Sequence, residues 1–378
     1  MSKYQLKILH VIPNLAKGGA ERLCLDICHQ FIKMGADVKL VALDYDIEYD
    51  ELLKGIDYKV FDLLNTVSIR NPNSSKMDAF KKYVSEFSPD IVHTHLFAAE
   101  LIWKLTKIRI QTIFHIHDNI KPFSPFETGY FKKENLIMLY EKISYKKLKK
   151  IQPTHFLSIS KDTNDYIKNS LKLKSSEVTL LSNSINREFF LFDESRDLSS
   201  FKLITIGSLV PKKGHSFLLD LVVELKRITQ KTVELIVLGD GPLKQNLITQ
   251  KENKGVGNNV KFLGKVNNPE MYLQQANFYV HGAKQEPFGL VLIEAMASGL
   301  PVFTTDGYGN RDLINNGENG FIYFERDPSK MAKDILALSE SLENFEKIRL
   351  NAIEFSKRFD VKDYGEKLYD IYKSLLYS

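Results

Sequence analysis

Short apolar runs alternate with helical stretches along this chain, and the alternation runs through twice. The first series is Leu6–Ile12, Val38–Leu43, Ile91–His95, Gln111–His117, Phe156–Ser160 and Val178–Leu181, with a helical pattern from about Ala20 to Met34 after the first run. The second is Leu203–Ile206, Glu234–Leu238, Val260–Phe262, Phe278–Val280, Val302–Thr304 and Gly320–Tyr323. Strands separated by helices make βαβ units, and these make parallel sheets with helices on both faces. At 378 residues the chain exceeds one ordinary hydrophobic core. The expectation is two doubly wound α/β domains, residues 1–190 and 191–360, joined through the polar, weakly periodic stretch Ser182–Ser200. A final helical pattern over 361–378 carries Tyr369, Tyr372, Leu375 and Leu376. In such sheets ligands bind outside the carboxyl ends of the strands, so the turns that follow strands hold the candidate functional residues.

Composition narrows the function classes. No apolar run approaches the roughly 18–20 residues of a membrane span. Lys7–Ile12 is too short for the core of a secretory signal and reads as a strand, so a cytoplasmic protein is expected. Cys24 and Cys28 lie one helical turn apart on the apolar side of a helix. A metal site would need more ligands, so they read as buried thiols of a reducing compartment. The net charge of +5 suits an acidic small substrate or an anionic surface, and does not make a nucleic-acid binder. The richest basic stretch, Lys132 to Lys150, follows Phe123, Phe126, Tyr130 and Phe131. It reads as a solvated helix face, with contact to the inner face of a membrane as the alternative.

The densest functional signal is Glu286-Pro-Phe-Gly-Leu-Val-Leu-Ile-Glu294, followed by Ala-Met-Ala-Ser-Gly-Leu-Pro-Val. Two carboxylates bracket a Pro-x-Gly turn that opens an apolar helix. Pro287 suits a helix start, and the backbone N–H groups of Phe288, Gly289, Leu290 and Val291 would then face an anion at the positive end of the helix dipole. A phosphate flanked by hydroxyl-binding carboxylates describes a nucleotide sugar. The segment resembles the E-x7-E motif of retaining glycosyltransferases of the GT-B fold, in particular the large group called family 4.

Further stretches carry the same resemblance in order. Asn14-Leu-Ala-Lys-Gly18-Gly19-Ala-Glu21, after the first strand, resembles the family's Gly-Gly-Ala-Glu loop beside the donor diphosphate and the acceptor. Gly207-Ser-Leu-Val-Pro-Lys-Lys213-Gly214 resembles Gly-Arg-Leu-x-x-x-Lys-Gly, in which an arginine and a lysine grip the diphosphate. Lys213 matches, whereas Ser208 stands in place of the arginine and cannot make bidentate charged bonds. Leu238-Gly-Asp-Gly241-Pro and Phe262-Leu-Gly-Lys-Val266 resemble the family's tight turn near the donor and its base-contacting segment. Asn183-Ser-Ile-Asn186 matches the family's Asn-Gly-x-Asp poorly. The resemblance spans nearly the whole chain, thin in the first half and dense in the second.

Four histidines stand at strand ends: His93, His95, His115 and His117. In the family the strand matching Thr-Ile-Phe-His-Ile-His-Asp118 ends in an active-site histidine. His117 fits best and His115 second, with His95, His115 and Asp118 as weaker acceptor-side candidates. The resemblance thus implies Lys213 and the N–H groups near Gly289 on the diphosphate, Glu294 on the ribose, Glu286 on the donor sugar, and His117 at the sugar or acceptor. It implies a nucleotide-sugar substrate, UDP favoured over GDP, a glycan or lipid-linked acceptor, and no further cofactor. In the family the last helix crosses back to the first domain, and the two domains face a central cleft.

Rival readings are weaker. A dinucleotide site needs G-x-G-x-x-G, which is absent, although Asp44 stands where a ribose-binding acid would. Asp44-Tyr-Asp46 spells D-x-D, but a three-residue pattern recurs by chance and reads as an acidic loop, so no catalytic metal is expected. A phosphorylase, a sugar-nucleotide epimerase or a non-catalytic nucleotide-sugar-binding module would share these parts, since fold does not fix chemistry.

Overall fold

The structure is a computed structural model and describes residues 5–64, 74–118, 139, 142–143, 152–190, 192 and 196–377. Of the basic stretch Lys132 to Lys150 only Lys142 among its lysines falls within them, and Phe123, Phe126, Tyr130 and Phe131 lie outside. The chain divides into two units, Met1–Ser184 with Val361–Ser378, and Ile185–Asp360.

In the first unit seven strands form one sheet: β1 (Lys7–Ile12), β2 (Asp37–Ala42), β3 (Asp57–Val60), β4 (Ile91–His95), β5 (Gln111–Ile116), β6 (Thr154–Ser158) and β7 (Val178–Leu180). Their spatial order is β3-β2-β1-β4-β5-β6-β7, and every pairing is parallel. The winding reverses between β1 and β4, the position where such sheets open a crevice for ligands. β3 is absent from the sequence reading because it is an edge strand whose Asp57, Tyr58 and Lys59 are exposed. An exposed, charged edge shows no apolar alternation to detect.

The helix Gly19–Lys33 turns Leu23, Cys24, Ile27, Cys28 and Phe31 onto the sheet. The last helix, Val361–Tyr377, belongs to this unit and packs on it, with the Phe31 and Tyr372 rings 5.1 Å apart. The helices approach so closely that a Cβ on Gly365 would stand 2.5 Å from Gln30 Cγ. Among the described residues no helix is long and apolar enough to cross a membrane.

The second unit has six parallel strands: β8 (Phe201–Ile206), β9 (Val233–Leu238), β10 (Val260–Gly264), β11 (Phe278–His281), β12 (Val302–Thr305) and β13 (Gly320–Tyr323). Their order is β10-β9-β8-β11-β12-β13, with the reversal between β8 and β11. Ser182–Ser200 is not a free connection. Ile185 donates its N–H to Phe359 O at 2.9 Å and bridges to Asp360. Arg196 donates to the carbonyls of Gln274, Ala276 and Ser298. The division falls after Ser184, six residues before the expected joint near 190 (190 − 184 = 6).

Candidate active site

In the second unit the turns after β8 and β11 interlock through backbone. Gly214 takes φ +63, and a Cβ there would lie 1.9 Å from Gly282 O. Only glycine permits that approach. The N–H groups of Lys284 and Gln285 donate to Lys212 O at 2.7 and 3.3 Å. This lock delivers Lys213 to the turn after β11, where its Nζ lies 2.6 Å from Glu286 Oε2. His281, ending β11, places Nε2 2.8 Å from the same oxygen. Glu286 is itself fixed by its N–H, which donates to Gly307 O at 2.8 Å.

Glu286 is 6% exposed. Burial opposes its ionisation, but the Lys213 charge and the hydrogen bonds from His281 and Lys213 outweigh that and hold the carboxyl at about 2. A second buried group reports on both carboxylates. The Tyr279 phenol is pushed up first by burial and then by the negative fields of Glu286 and Glu294, while its hydroxyl pairs with the Ile206 backbone. The fields of both glutamates of the motif thus reach one buried tyrosine of β11.

The helix after Glu286 starts later than the Pro287 rule implies. It runs Leu290–Ala297, with Gly289 as its N-cap at φ +103. The left-handed glycine turns the chain after Pro287 and Phe288, so the N-terminal N–H groups belong to Leu290 and Val291. Phe288 instead turns inward, 3% exposed, with its ring edge-on to Phe359 at 5.9 Å. Ser208, in the turn after β8, is exposed. Gly241 and Val266, in the turns after β9 and β10, lie further along the same end of the sheet. Two residues that the motif reading passed over complete the site. His281 carried a signal, a strand-end histidine five residues before Glu286 (286 − 281 = 5). Arg326, whose guanidinium donates to Gly282 O at 2.8 Å, carried none.

In the first unit the histidines form a ladder on one face of the sheet. Register sets His10 opposite His93 and His95 opposite His115. Hydrogen bonds join His10 Nδ1 to His95 Nε2 at 3.0 Å and His95 Nδ1 to His117 Nε2 at 3.1 Å. A second line joins His115 Nδ1 to His93 Nε2 at 3.2 Å and His93 Nδ1 to the Tyr372 hydroxyl at 2.6 Å. Burial pushes His10 and His117 down to about 3. Burial, then the neighbouring imidazoles, hold His93, His95 and His115 well below 6.5. All five are neutral at physiological pH. His117, 8% exposed at the carboxyl end of β5, has a buried Nδ1 with no hydrogen-bond partner. Asp118 beyond it is exposed.

Among the described residues three sets, His10/Cys24/Cys28, His10/His93/His95 and His95/His115/His117, hold possible ligand atoms within 4.8 Å of one another, and none includes Asp44 or Asp46. The His93 and His95 rings lie 12° from parallel at 4.4 Å, which aims their in-plane lone pairs side by side rather than at one point. Both cysteines are free and buried.

The anion cradle expected at Gly18 and Gly19 is already filled. Gly18 is the N-cap of Gly19–Lys33, and a Cβ on it would stand 2.2 Å from Glu21 Oε2. The Glu21 carboxyl has folded back onto its own helix start, where burial raises its pKa and its own backbone N–H opposes that. A phosphate there meets a carboxyl rather than an open dipole.

Comparison with known proteins identifies the family and the fold. Residues 17–189 match the profile described as Glycosyltransferase Family 4, and residues 186–355 match Glycosyl transferases group 1. An uncharacterized glycosyltransferase of Methanocaldococcus jannaschii is 31% identical over 307 residues, 73% of this chain and 72% of that one. The lipopolysaccharide core biosynthesis glycosyltransferase LpsE of Rhizobium meliloti is 30% identical over 133 residues, 35% of this chain and 38% of that one. The crystal structure of HepE from Anabaena with UDP and glucose superposes with a TM-score of 0.80 at 20% identity, covering 98% of this chain and 100% of that one. The chain belongs to the family 4, group 1 glycosyltransferases and has their GT-B fold.

Proposed function

We propose that this glycosyltransferase moves a sugar from a nucleoside-diphosphate sugar, UDP favoured, to a hydroxyl of a glycan or lipid-linked acceptor, retaining the anomeric configuration and without a catalytic metal. The observation that carries the reading is the pairing of half-buried Lys213 with buried Glu286 and His281 at the carboxyl ends of β8 and β11, next to the N-terminus of Leu290–Ala297. Lys213 and the N–H groups of Leu290 and Val291 neutralise charge on the departing diphosphate, the usual large term in such transfers. Glu294 binds ribose hydroxyls, Glu286 binds sugar hydroxyls, and His117 meets the sugar or acceptor.

Protonation states favour a mechanism without a protein base. A carboxyl held at about 2 is a feeble base at neutral pH, and so is an imidazole at about 3. Glu286 is also engaged by Lys213 and His281 on the same oxygen. The acceptor oxygen therefore bonds to the anomeric carbon as the bond from that carbon to the diphosphate breaks, and the acceptor proton passes to the leaving diphosphate. Glu286 orients the sugar and does not attack it.

Ligands that bind the folded state raise its stability by mass action. Thermal unfolding with UDP, GDP, ADP and NAD, each with and without Mg²⁺, tests the reading. Stabilisation by UDP or GDP that persists with EDTA is expected. Stabilisation by NAD alone, or a strict need for Mg²⁺, refutes the proposal as stated.

A further inference from the structure

The turn after β12 runs back over Glu286. Besides the Glu286-to-Gly307 hydrogen bond, Glu286 and Tyr308 pair as an isolated parallel bridge. The approach is tight on both sides: a Cβ on Gly307 would lie 2.8 Å from Glu286 Cβ, and one on Gly309 would lie 2.0 Å from Pro287 O. Between these glycines Tyr308 takes φ +72, the left-handed region that a bulky side chain disfavours. Glycine would sit there without strain, and the ring fills no core, being 52% exposed. Strained residues gather at ligand clamps, where surrounding structure over-determines them.

The surroundings do over-determine it. Asp306 accepts the Tyr308 N–H at 2.9 Å and holds Arg311 by two bonds of 2.8 and 2.6 Å. The Arg311 guanidinium lies over the Tyr308 ring at 4.9 Å and over the Phe324 ring at 5.8 Å. Phe324 follows β13 directly and is 71% exposed. Two exposed aromatic residues are thus held against one clamped guanidinium, beginning at the residue bridged to Glu286. Aromatic faces are electron-rich and attract the polarised C–H faces of a sugar ring, while Asp306 and Arg311 beside them suit its hydroxyls.

We propose that Tyr308, with Arg311 and Phe324 behind it, is a platform on which a hexopyranose ring stacks beside Glu286. The inference rests on Glu286 as the sugar-holding carboxylate. The ring belongs to the donor sugar or to the acceptor glycan, and the test separates the two.

Titration calorimetry with UDP and UDP-glucose (GDP and GDP-mannose if the wild type prefers guanosine), and ligand-observed NMR with maltotriose and triacetylchitotriose, are run on wild type, Tyr308→Gly, Tyr308→Phe and Phe324→Ala. Tyr308→Gly should keep its nucleotide affinity and melt no lower than wild type, since strain is removed. For a donor-sugar contact, its affinity for the nucleotide sugar falls at least fivefold relative to the nucleotide. For an acceptor contact, trisaccharide binding is lost and nucleotide-sugar affinity stays. Tyr308→Phe keeps binding in either case. A Tyr308→Gly protein unchanged toward every sugar, or one that melts lower and loses the nucleotide as well, overturns the platform. A wild type that binds neither nucleotide yet holds the trisaccharides through Tyr308 refutes the donor reading and leaves a glycan contact.

Discussion

Replacing Glu286 by Gln keeps the shape of the side chain and removes the charge that Lys213 and His281 surround. The carboxyl stands at about 2 against an ordinary 4.5, and a separation of that size is worth about 3 kcal/mol of folding stability at neutral pH. The conversion holds because the group is almost wholly buried, with solvent screening small. The amide also leaves Lys213 without its counter-charge, and breaking a buried pair from one side costs about 3–5 kcal/mol. For a unit of this size about 3 kcal/mol lowers the melting temperature by roughly 6–12 °C. The sign with pH follows from the depressed carboxyl. The stabilisation is complete above 4.5 and is lost as pH falls through that value toward about 2. Urea unfolding of wild type and Glu286→Gln from pH 7 down to pH 3, followed through the second unit, should therefore give a gap that narrows below pH 4.5. A gap that stays constant with pH would refute the ion-pair account and reduce the effect to packing. The double variant with Lys213→Met should recover part of the loss, since it removes the unpaired ammonium.

Ser208→Arg restores the charge that the family pattern has at this position. It should tighten UDP or GDP binding by about 1.5–3 kcal/mol, roughly ten- to a hundredfold in Kd, and calorimetry at two salt concentrations reads the gain and its screening; no gain would mean that the exposed turn does not face the diphosphate. The histidine ladder makes the first unit acid-sensitive. Folded values lie below the unfolded 6.5, so stability is intact above that pH and falls as pH drops through 6.5 toward about 3. Histidine ring NMR should show His117 untitrated between pH 8 and 5, and a normal titration near 6.5 would remove the neutral ladder.

The architecture was legible because buried parallel strands are nearly continuous apolar runs, and twelve such runs appear in two series. Asp57–Val60 escaped because its exposed residues carry no apolar signal. The order of the motifs was legible for a local reason as well. Each lies in the turn directly after a strand, so chain order converts into neighbourhood once the sheet winds. The start of Leu290–Ala297 was misplaced because Pro287 satisfies a local rule, while the left-handed Gly289 and the bridge from Glu286 to Tyr308 make the turn that the tertiary structure uses.

What the sequence could not display is how each unit disposes of its buried polar groups, because that depends on partners far apart in the chain. Lys213 meets Glu286 across 73 residues, and His93 meets Tyr372 across 279. The two units answer the cost of burial in opposite ways. The second keeps an ionised carboxylate dry by giving it an ammonium and an imidazole. The first buries five imidazoles by keeping all of them neutral and letting ring nitrogens pair along the ladder. Glu21 shows the same constraint at a helix start, since its carboxyl takes the anion position that a reading of Gly18-Gly19 alone assigns to phosphate. A phosphate can enter that position only by displacing Glu21 or by meeting it protonated. Glu21→Gln, which removes the charge without removing the reach, should therefore tighten nucleotide binding if those glycines face the diphosphate and leave it unchanged if they do not.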